Sequence, residues 1–319
     1  MNTKYLIAAV AVIVLIASVA FIYVYSQGQP SGEELEALQN LVDDTGYKTS
    51  LTAYPEKIVS VAPSCTEIVF AIGAGDKVVG VTDYCNYPYN FKTWIAEGNM
   101  TSVGNFKDPN MEVITALEPD LILASGGVQE ESVDTLRERG YKVLVLDPTS
   151  IAGILKNIEL VGNATGKRAE ATAVVNDITN RIETVENTVA NATKPKVYYE
   201  VYYYETASWT IGALAWQTEV IEKAGGTNIF EDQQIDYYQY QVEALIYRNP
   251  DVIVLPGEGM GSGKAESLDA VKVRPGWDTT NAVQNDRLYQ INSDIIERSG
   301  SRLAEAIEQM AEFLHPELF

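Results

Sequence analysis

The stretch TGKRAEATAVVNDITNRIETVENTVANA, residues 165–192, predicts one long helix at the midpoint of the chain. Its apolar residues recur every three or four positions, which puts them on one stripe, with charged residues on the other faces. A helix of this length is a rod of about 40 Å. Such a rod can span two lobes. This stretch alone is also compatible with a surface helix that covers a single core. The stripe is formed by Ala171, Val174, Ile178, Ile182, Val185 and Val189.

The composition limits the classes of function. The chain has 319 residues, of which 46% are hydrophobic, and this is enough for two cores. Its formal net charge of -21 argues against a nucleic-acid partner, which needs clustered Lys and Arg. The single histidine, His315, excludes a His-rich zinc site or catalytic triad. Two cysteines, Cys65 and Cys85, are too few for a disulfide scaffold, and the sequence does not decide whether they form a disulfide with each other.

The N-terminal region carries an export signal. Residues 5–25, YLIAAVAVIVLIASVAFIYVY, contain no charge and exceed the core of about 7–15 residues that is typical of a cleaved signal peptide. We therefore expect residues 1–27 to be a membrane anchor that tethers the chain to the outer face of the cell membrane. The alternative is a cleaved signal and a secreted or periplasmic protein. No cysteine follows the run closely, so we expect no lipid anchor on an N-terminal cysteine.

The rest of the chain predicts an α/β fold. Residues 28–54 are predicted to be a linker with leading strands. Residues 55–164 alternate short apolar runs with helical segments, and this alternation predicts a lobe with a parallel sheet. Residues 193–319 repeat the alternation, with LYQINSDII as the last strand and SRLAEAIEQMAEFL as the closing helix. The predicted fold is thus two Rossmann-like lobes with parallel-rich sheets, joined by the helix of residues 165–192.

One segment of each lobe matches the other without gaps. Residues 111–123 align with residues 242–254, and in both a glutamate opens a helix and a Pro-Asp pair precedes a strand. A single glutamate in a first helical turn is accounted for by the helix dipole. An aromatic residue also lies six positions before each glutamate. The pair of loops therefore suggests two lobes that face each other across a cleft, with aromatics lining it and acids on its rim.

Several motifs together resemble a known family. They are IVSVAPSCTEIVFAIGAGDKVVGVTDYCNYP, the Glu-led helix before PDLIL, the long central helix, AGGTNIF and SDIIERSGSRLAEAIEQMAEFL. As a set, they resemble the substrate-binding proteins of ABC importers, in the class with one rigid interlobe helix that takes cobalamin, iron-siderophores or haem. The similarity covers about residues 42–319. The TDYCNYP segment is closer to the cobalamin type than to the haem type.

The resemblance implies roles for individual residues. Glu112 and Glu243 match the pair that forms salt bridges with the permease dimer, which works with ATPase subunits. Ile296 matches a pocket-facing segment that carries aromatics in the cobalamin protein, and Arg298 matches a position that can contact an anionic ligand. The aromatic residues expected to contact the ligand are Tyr84, Tyr87, Phe106, Trp209 and Tyr237.

These features predict a binding protein whose transported ligand is a corrinoid. A ferric siderophore is the main alternative, and haem a further one, since a tyrosine in TDYCNYP can ligate haem iron. An enzyme on a similar fold, such as a chelatase, needs Cys or His ligands or a nucleophile with a base. Ser64-Cys65 lies at a strand-to-helix turn but has no candidate base. We therefore expect no catalytic residue, no resident cofactor and no metal site.

Overall fold

The computed structural model describes residues 30–203, 208–259 and 267–319. The predicted membrane anchor, residues 1–27, lies outside these described residues. Within the described residues, no helix is long and apolar enough to cross a membrane. Two large sheets, one in each lobe, and one long helix between them confirm the predicted α/β fold.

The N-terminal lobe is built on a five-stranded sheet in which every neighbouring pair is parallel. The order across the sheet is β5 (Thr101–Ser102), β4 (Val78–Val81), β3 (Ile58–Ser60), β6 (Leu121–Ser125) and β7 (Val143–Leu146). All four residues of β7 are buried, as expected for a parallel sheet that is covered by helices on both faces. A short helix and a two-stranded antiparallel ribbon precede this sheet. The elements of this lobe are α1 (Gly32–Leu38), β1 (Leu41–Val42), β2 (Lys48–Thr49), β3 (Ile58–Ser60), α2 (Pro63–Ala71), β4 (Val78–Val81), α3 (Phe91–Ala96), β5 (Thr101–Ser102), α4 (Met111–Ala116), β6 (Leu121–Ser125), α5 (Glu130–Glu138), β7 (Val143–Leu146) and α6 (Ile151–Thr165).

The long helix of the sequence prediction is α7, Arg168–Val189. Its 22 residues give a length of about 33 Å. It begins three residues later than predicted, because Gly166 adopts a left-handed conformation (φ 72°) and caps α6 instead of opening α7. Five of the six stripe residues are buried, and Val174 is partly buried against the same core.

The C-terminal lobe holds a mixed sheet in the order β11 (Tyr237–Tyr240), β9 (Ser208–Ile211), β8 (Lys196–Tyr202), β12 (Val252–Pro256) and β13 (Leu288–Ile291). Strand β10 (Thr227–Asn228) is parallel to β8. Strands β8, β12 and β13 are parallel, as predicted, whereas β9 is antiparallel to both β8 and β11. The lobe contains β8 (Lys196–Tyr202), β9 (Ser208–Ile211), α8 (Trp216–Lys223), β10 (Thr227–Asn228), β11 (Tyr237–Tyr240), α9 (Val242–Arg248), β12 (Val252–Pro256), α10 (Leu268–Lys272), α11 (Asn281–Gln284), β13 (Leu288–Ile291), α12 (Ser293–Ile296) and α13 (Leu303–Leu314).

The prediction of LYQINSDII as one strand is wrong in its second half. Strand β13 ends at Ile291, and the side chain of Asn292 then accepts a hydrogen bond from the backbone N–H of Asp294. Asparagine is a favoured helix N-cap because it satisfies a free N–H of the first turn. The chain therefore turns into the short helix α12 at the end of the strand.

The two matched segments form the same local structure in both lobes. The residue before the Pro-Asp pair has a φ of 49° in each lobe. The aspartate then accepts a hydrogen bond from the backbone N–H of a lysine at the start of the neighbouring strand. Lys57 donates to Asp120 at 2.9 Å, and Lys196 donates to Asp251 at 3.0 Å. Each lysine side chain also donates to a carbonyl at the end of the preceding helix. The sequence match therefore corresponds to an equivalent structural unit in each lobe.

Candidate functional site

A cavity of about 280 Å³ lies on the C-terminal lobe, where β8 ends and α8 begins. We call it the tyrosine cavity. Among the predicted ligand contacts, it contains Tyr237, whose ring is 47% exposed. The lining residues are Tyr199, Val201, Tyr202, Gln217, Tyr237 and Glu297.

Trp209 extends the wall of this cavity. Trp209 on β9 is the direct strand partner of Tyr202 and of Gln239, which lies two residues from Tyr237 on β11. Residues that pair directly across strands, and residues two apart on one strand, lie on the same face of the sheet. Tyr202, Trp209 and Tyr237 are 38–47% exposed. The structure thus brings together two predicted aromatic residues and adds Tyr202 to them.

Three polar groups of the tyrosine cavity lack partners among the described residues. The Tyr199 hydroxyl and the Gln217 Oε1 atom are buried and form no hydrogen bond. The Glu297 carboxylate forms no hydrogen bond or ion pair with another described residue, and burial raises its pKa to about 7, with a further contribution from the charge of Asp294. The predicted site included Ile296 and Arg298, the neighbours of Glu297, but not Glu297 itself.

The N-terminal lobe contributes loops at the carboxyl ends of its strands, which is where open α/β sheets bind ligands. Tyr84 follows β4 and is 42% exposed, and its carbonyl accepts a hydrogen bond from Arg298 Nη2 at 3.4 Å. Tyr84 therefore lies beside the segment that carries Glu297. Phe106 follows β5; its ring is partly buried, and its carbonyl accepts a hydrogen bond from Gln129 Nε2 at 2.6 Å.

One carboxylate of the N-terminal lobe is influenced by a charge of the other lobe. Asp147 follows β7, and partial burial raises its pKa. The charges of Asp44 and of Asp236 raise it further, and Asp236 belongs to the loop before β11 in the C-terminal lobe. The strand ends of the two lobes therefore face each other, with negative charge on both sides.

The structure separates Tyr87 from the tyrosine cavity. The guanidinium of Arg302 lies over the Tyr87 ring at 4.4 Å from its centroid. Tyr87 lines a different cavity of about 470 Å³ against the interlobe helix, together with Phe70 and Val174. The Tyr87 ring therefore lies near the interlobe helix and not beside Tyr237.

Ile296 and Arg298 do not present surface to a ligand in this structure. Ile296 is 0% exposed and Arg298 is 4% exposed. Arg298 Nη1 donates to Glu67 Oε1 at 2.8 Å, and Arg302 donates to both oxygens of the same carboxylate. Because Glu67 lies on α2 of the N-terminal lobe and is 1% exposed, its buried charge needs these cations. Arg298 thus joins the lobes.

Cys65 and Cys85 are free thiols, so the structure does not contain the disulfide left open by the sequence. Both are buried. The Cys65 thiol donates to the Ala124 carbonyl at 3.4 Å, and Cys85 lies 3.2 Å from the Thr66 hydroxyl. Burial raises the pKa of Cys65 to about 12 and also raises that of Cys85. Both thiols therefore stay protonated at neutral pH, and a protonated thiol is a poor nucleophile.

Glu112 and Glu243 occupy the same position, the second residue of α4 and of α9. Both are exposed. Neither carboxylate forms an ion pair with another described residue. Two equivalent exposed charges are therefore available to a partner, one on each lobe.

The cavity at the far end of the interlobe helix is separate from the predicted site. A cavity of about 730 Å³ at the end of the interlobe helix is lined by His315 and Arg287 among others, and it shares no residue with the predicted site. In residues 30–203, 208–259 and 267–319, no group of three or more His, Cys, Asp and Glu side chains is arranged to hold a metal ion.

Two α/β lobes, a single helix between them and a cavity at the facing strand ends define a substrate-binding component of an ABC importer. Residues 58–295 match the model of the periplasmic binding protein family, and the chain belongs to this family. Such proteins work with permease and ATPase components.

The chain is similar to individual members of this family. The chain is 32% identical over 295 residues to the uncharacterised ABC transporter substrate-binding lipoprotein YvrC of Bacillus subtilis, covering 90% of this chain and 89% of that one. It is 29% identical to the vitamin B12-binding protein of Vibrio vulnificus, over 83% of this chain and 93% of that one. The crystal structure of the periplasmic vitamin B12-binding protein BtuF of Vibrio cholerae has a TM-score of 0.68 and 28% identity, over 82% of this chain and 97% of that one.

Proposed function

We propose that this protein captures a corrinoid in the cleft between its lobes and delivers it to an ABC permease. The observation that carries the proposal is the tyrosine cavity, where exposed aromatic rings lie beside unpartnered polar groups at the ends of the strands. Aromatic rings supply apolar area for a large ring ligand, and the polar groups orient it. The similarity to proteins named for vitamin B12 supports the same ligand class.

The charge of the site favours a corrinoid over the alternatives, a ferric siderophore or haem. None of the residues that line the tyrosine cavity is cationic. Arg298 and Arg302 are already paired with Glu67. A catecholate chelate or the propionates of haem bring negative charge, which Glu297 and the facing Asp147 would repel unless a cation neutralised it.

Glu112 and Glu243 are proposed to dock the loaded protein onto the permease. One exposed acid on each lobe suits a dimeric partner that presents two equivalent cationic sites. The N-terminal segment is proposed to tether the chain outside the cytoplasm, and cleavage to a secreted or periplasmic form is the alternative. In this arrangement the protein stays close to its permease.

Closure around the ligand is proposed to be small. A continuous helix resists bending because bending breaks its hydrogen-bond ladder. The buried contact of Glu67 with Arg298 and Arg302 adds a second connection between the lobes. The cleft is therefore largely formed before the ligand arrives.

The test is a titration of the purified full-length chain in detergent, followed by tryptophan fluorescence. Trp209 is 38% exposed on the wall of the site, so a bound corrinoid should quench it. We expect saturable quenching by cyanocobalamin at micromolar concentrations or below. Saturable quenching by a ferric chelate or by haem, with none by cyanocobalamin, would overturn the corrinoid proposal.

A further inference from the structure

Three Asn-X-Thr triplets occur in the sequence, and they begin at Asn99, Asn163 and Asn191. This triplet is the acceptor signal for N-linked glycosylation of exported proteins. A transferase that reads the triplet has to reach the asparagine amide and the threonine hydroxyl together. The contacts of these two groups in the fold therefore decide which triplet can carry a sugar.

The triplet at Asn163 is held inside helix α6. Asn163 Oδ1 accepts a hydrogen bond from Arg168 Nε at 2.8 Å, and the Thr165 hydroxyl donates to the Val161 carbonyl at 2.7 Å. Ala164, the residue between them, is 0% exposed. Both groups that this triplet must present are therefore occupied by contacts within the fold.

The triplet at Asn99 is held at one end. Asn99 is exposed, and its side-chain amide donates to Glu97 Oε2 at 3.1 Å. Thr101, however, belongs to strand β5 and pairs with Gly80 of β4. Met100, between the two, is 6% exposed. A transferase would have to lift the start of β5 away from the sheet to read this triplet.

The triplet at Asn191 is free of such contacts. It lies in the irregular segment between the end of α7 at Val189 and the start of β8 at Lys196. Asn191 and Thr193 are both exposed, and neither side chain forms a hydrogen bond with another described residue. The amide and the hydroxyl of this triplet are therefore accessible together in the folded protein.

The cavity of about 730 Å³ around His315 gives room beside this triplet. Asn191 and Thr193 both line it, and so do the cationic side chain of Lys194 and the apolar side chain of Leu314. A sugar has hydroxyl groups at its edge and C–H groups on its faces, so it fits a wall that mixes polar and apolar side chains. The cavity can therefore hold the first sugar of a glycan on Asn191.

We propose that Asn191 is an acceptor for an N-linked glycan whose first sugar lies in this cavity. The inference rests on the proposed function only in its location, outside the cytoplasm, and not in its ligand. Asn191 Nδ2 forms a bond to the anomeric carbon of an oligosaccharide that is linked through phosphate to a lipid carrier. The bond from that carbon to the phosphate oxygen breaks, and the lipid phosphate leaves with the electron pair. One amide proton passes to a base of the transferase, and nothing is oxidised or reduced.

The glycan lies away from the ligand cleft. Asn191 precedes β8, whereas the tyrosine cavity lies where β8 ends. The seven residues of β8, at about 3.3 Å each, separate the two sites by roughly 20 Å or more. Modification of Asn191 therefore leaves the ligand site open.

Mass spectrometry of the full-length chain, purified in detergent from its native cells, tests the proposal. Trypsin puts each triplet on a separate peptide, residues 93–107, 157–167 and 182–196. Peptide 182–196 should carry a sugar on most copies, with fragment ions that place it on Asn191. Peptide 157–167 should be unmodified, and peptide 93–107 should be modified on fewer copies than 182–196. Absence of sugar on 182–196, or equal modification of 157–167, would overturn the proposal.

Two variants at Thr193 test the reading of the triplet and the place of the sugar. Thr193→Ala should abolish the sugar on peptide 182–196, and Thr193→Ser should keep it, because serine also completes the acceptor signal. Residues 314–318 line the cavity in part, so their amide hydrogens should exchange more slowly in the glycosylated wild type than in Thr193→Ala. Retained sugar in Thr193→Ala would overturn the acceptor assignment, and equal exchange would overturn the placement in the cavity.

Cyanocobalamin titrations of the same preparations separate this inference from the proposed function. Wild type and Thr193→Ala should bind within about twofold of each other, because the two sites are far apart. If the sugar is present and no corrinoid binds, only the proposed ligand is overturned. If a corrinoid binds and peptide 182–196 is unmodified, only the glycan site is overturned.

Discussion

Replacing Glu67 by glutamine should destabilise the protein more than any exchange at its surface. The Glu67 carboxylate accepts three charge-assisted hydrogen bonds, one at 2.8 Å from Arg298 and two at 2.7 and 2.9 Å from Arg302. The side chains are 1%, 3% and 10% exposed, so water cannot replace the lost partner. Asp294 still neutralises Arg298 at 2.6 Å, but Arg302 keeps no carboxylate partner among the described residues.

The expected loss is about 3–5 kcal/mol in the free energy of unfolding, the range for breaking one side of a buried ion pair. Urea denaturation followed by circular dichroism and tryptophan fluorescence measures it. The control is Glu170→Gln on α7, which removes an exposed pair with Lys167 at 3.4 Å, and it should cost much less stability than Glu67→Gln because water screens exposed ion pairs.

The triple exchange Glu67→Met, Arg298→Met, Arg302→Met tests the cause of the loss. Replacing a whole buried ionic cluster by apolar side chains is often neutral, whereas removing one partner is not. The triple variant should therefore be more stable than Glu67→Gln. A loss below about 1 kcal/mol in Glu67→Gln would refute the assignment of this cluster as a buried connection between the lobes.

Three more predictions follow from the site and its surroundings. Reversing both docking charges, Glu112→Lys with Glu243→Lys, should abolish uptake in a reconstituted transporter. Ligand affinity should stay within about twofold of the wild type, because the substitutions lie outside the ligand cavity. Glu170→Lys is the control, and normal uptake by the double variant would show that these glutamates do not dock the protein. The pKa of Glu297 is raised above its unfolded value to about 7, so the folded state binds the extra proton and stability falls as pH rises from about 4.5 to 7. Glu297→Gln should remove that fall, which amounts to roughly 1–3 kcal/mol, and equal pH dependence of unfolding in wild type and variant would contradict it. The Cys65 thiol should resist a thiol reagent at pH 8 until the chain unfolds, because burial raises its pKa to about 12; rapid modification of the native protein would show that the site is open.

The sequence predicted the architecture well where the signal was local and periodic. The apolar stripe of residues 165–192 is the buried face of α7, because helical spacing alone decides which side chains face the lobes. Its start was wrong by three residues, because a glycine between two helical patterns can either end the first or open the second. Only the left-handed conformation of Gly166 decides this.

The direction of a strand is not contained in its apolar pattern. Segments rich in tyrosine predict a strand, but nothing in them shows that β9 is antiparallel to both of its neighbours. The aromatic wall of Trp209 and Tyr237 depends on that pairing, and its completion by Tyr202 was therefore visible only in the structure.

Long-range partners explain why the site was predicted only in part. The resemblance implied ligand contacts for Ile296 and Arg298, but the direction of the Arg298 side chain depends on Glu67, which lies 231 residues earlier in the chain. Glu67 itself carried a signal that was not used, since a lone acid in the otherwise uncharged helix PSCTEIVFA indicates a buried ion pair. With Arg298 assigned to that pair, Glu297 would have been the remaining charged candidate.

The position of the ligand tests the central claim most directly. Crystals grown with cyanocobalamin and measured at the cobalt absorption edge locate the metal by its anomalous signal. We predict one cobalt peak between the lobes, with the corrin ring against Tyr237 and Trp209. A peak in the cavity around His315, or on the outer surface of either lobe, would contradict capture in the cleft.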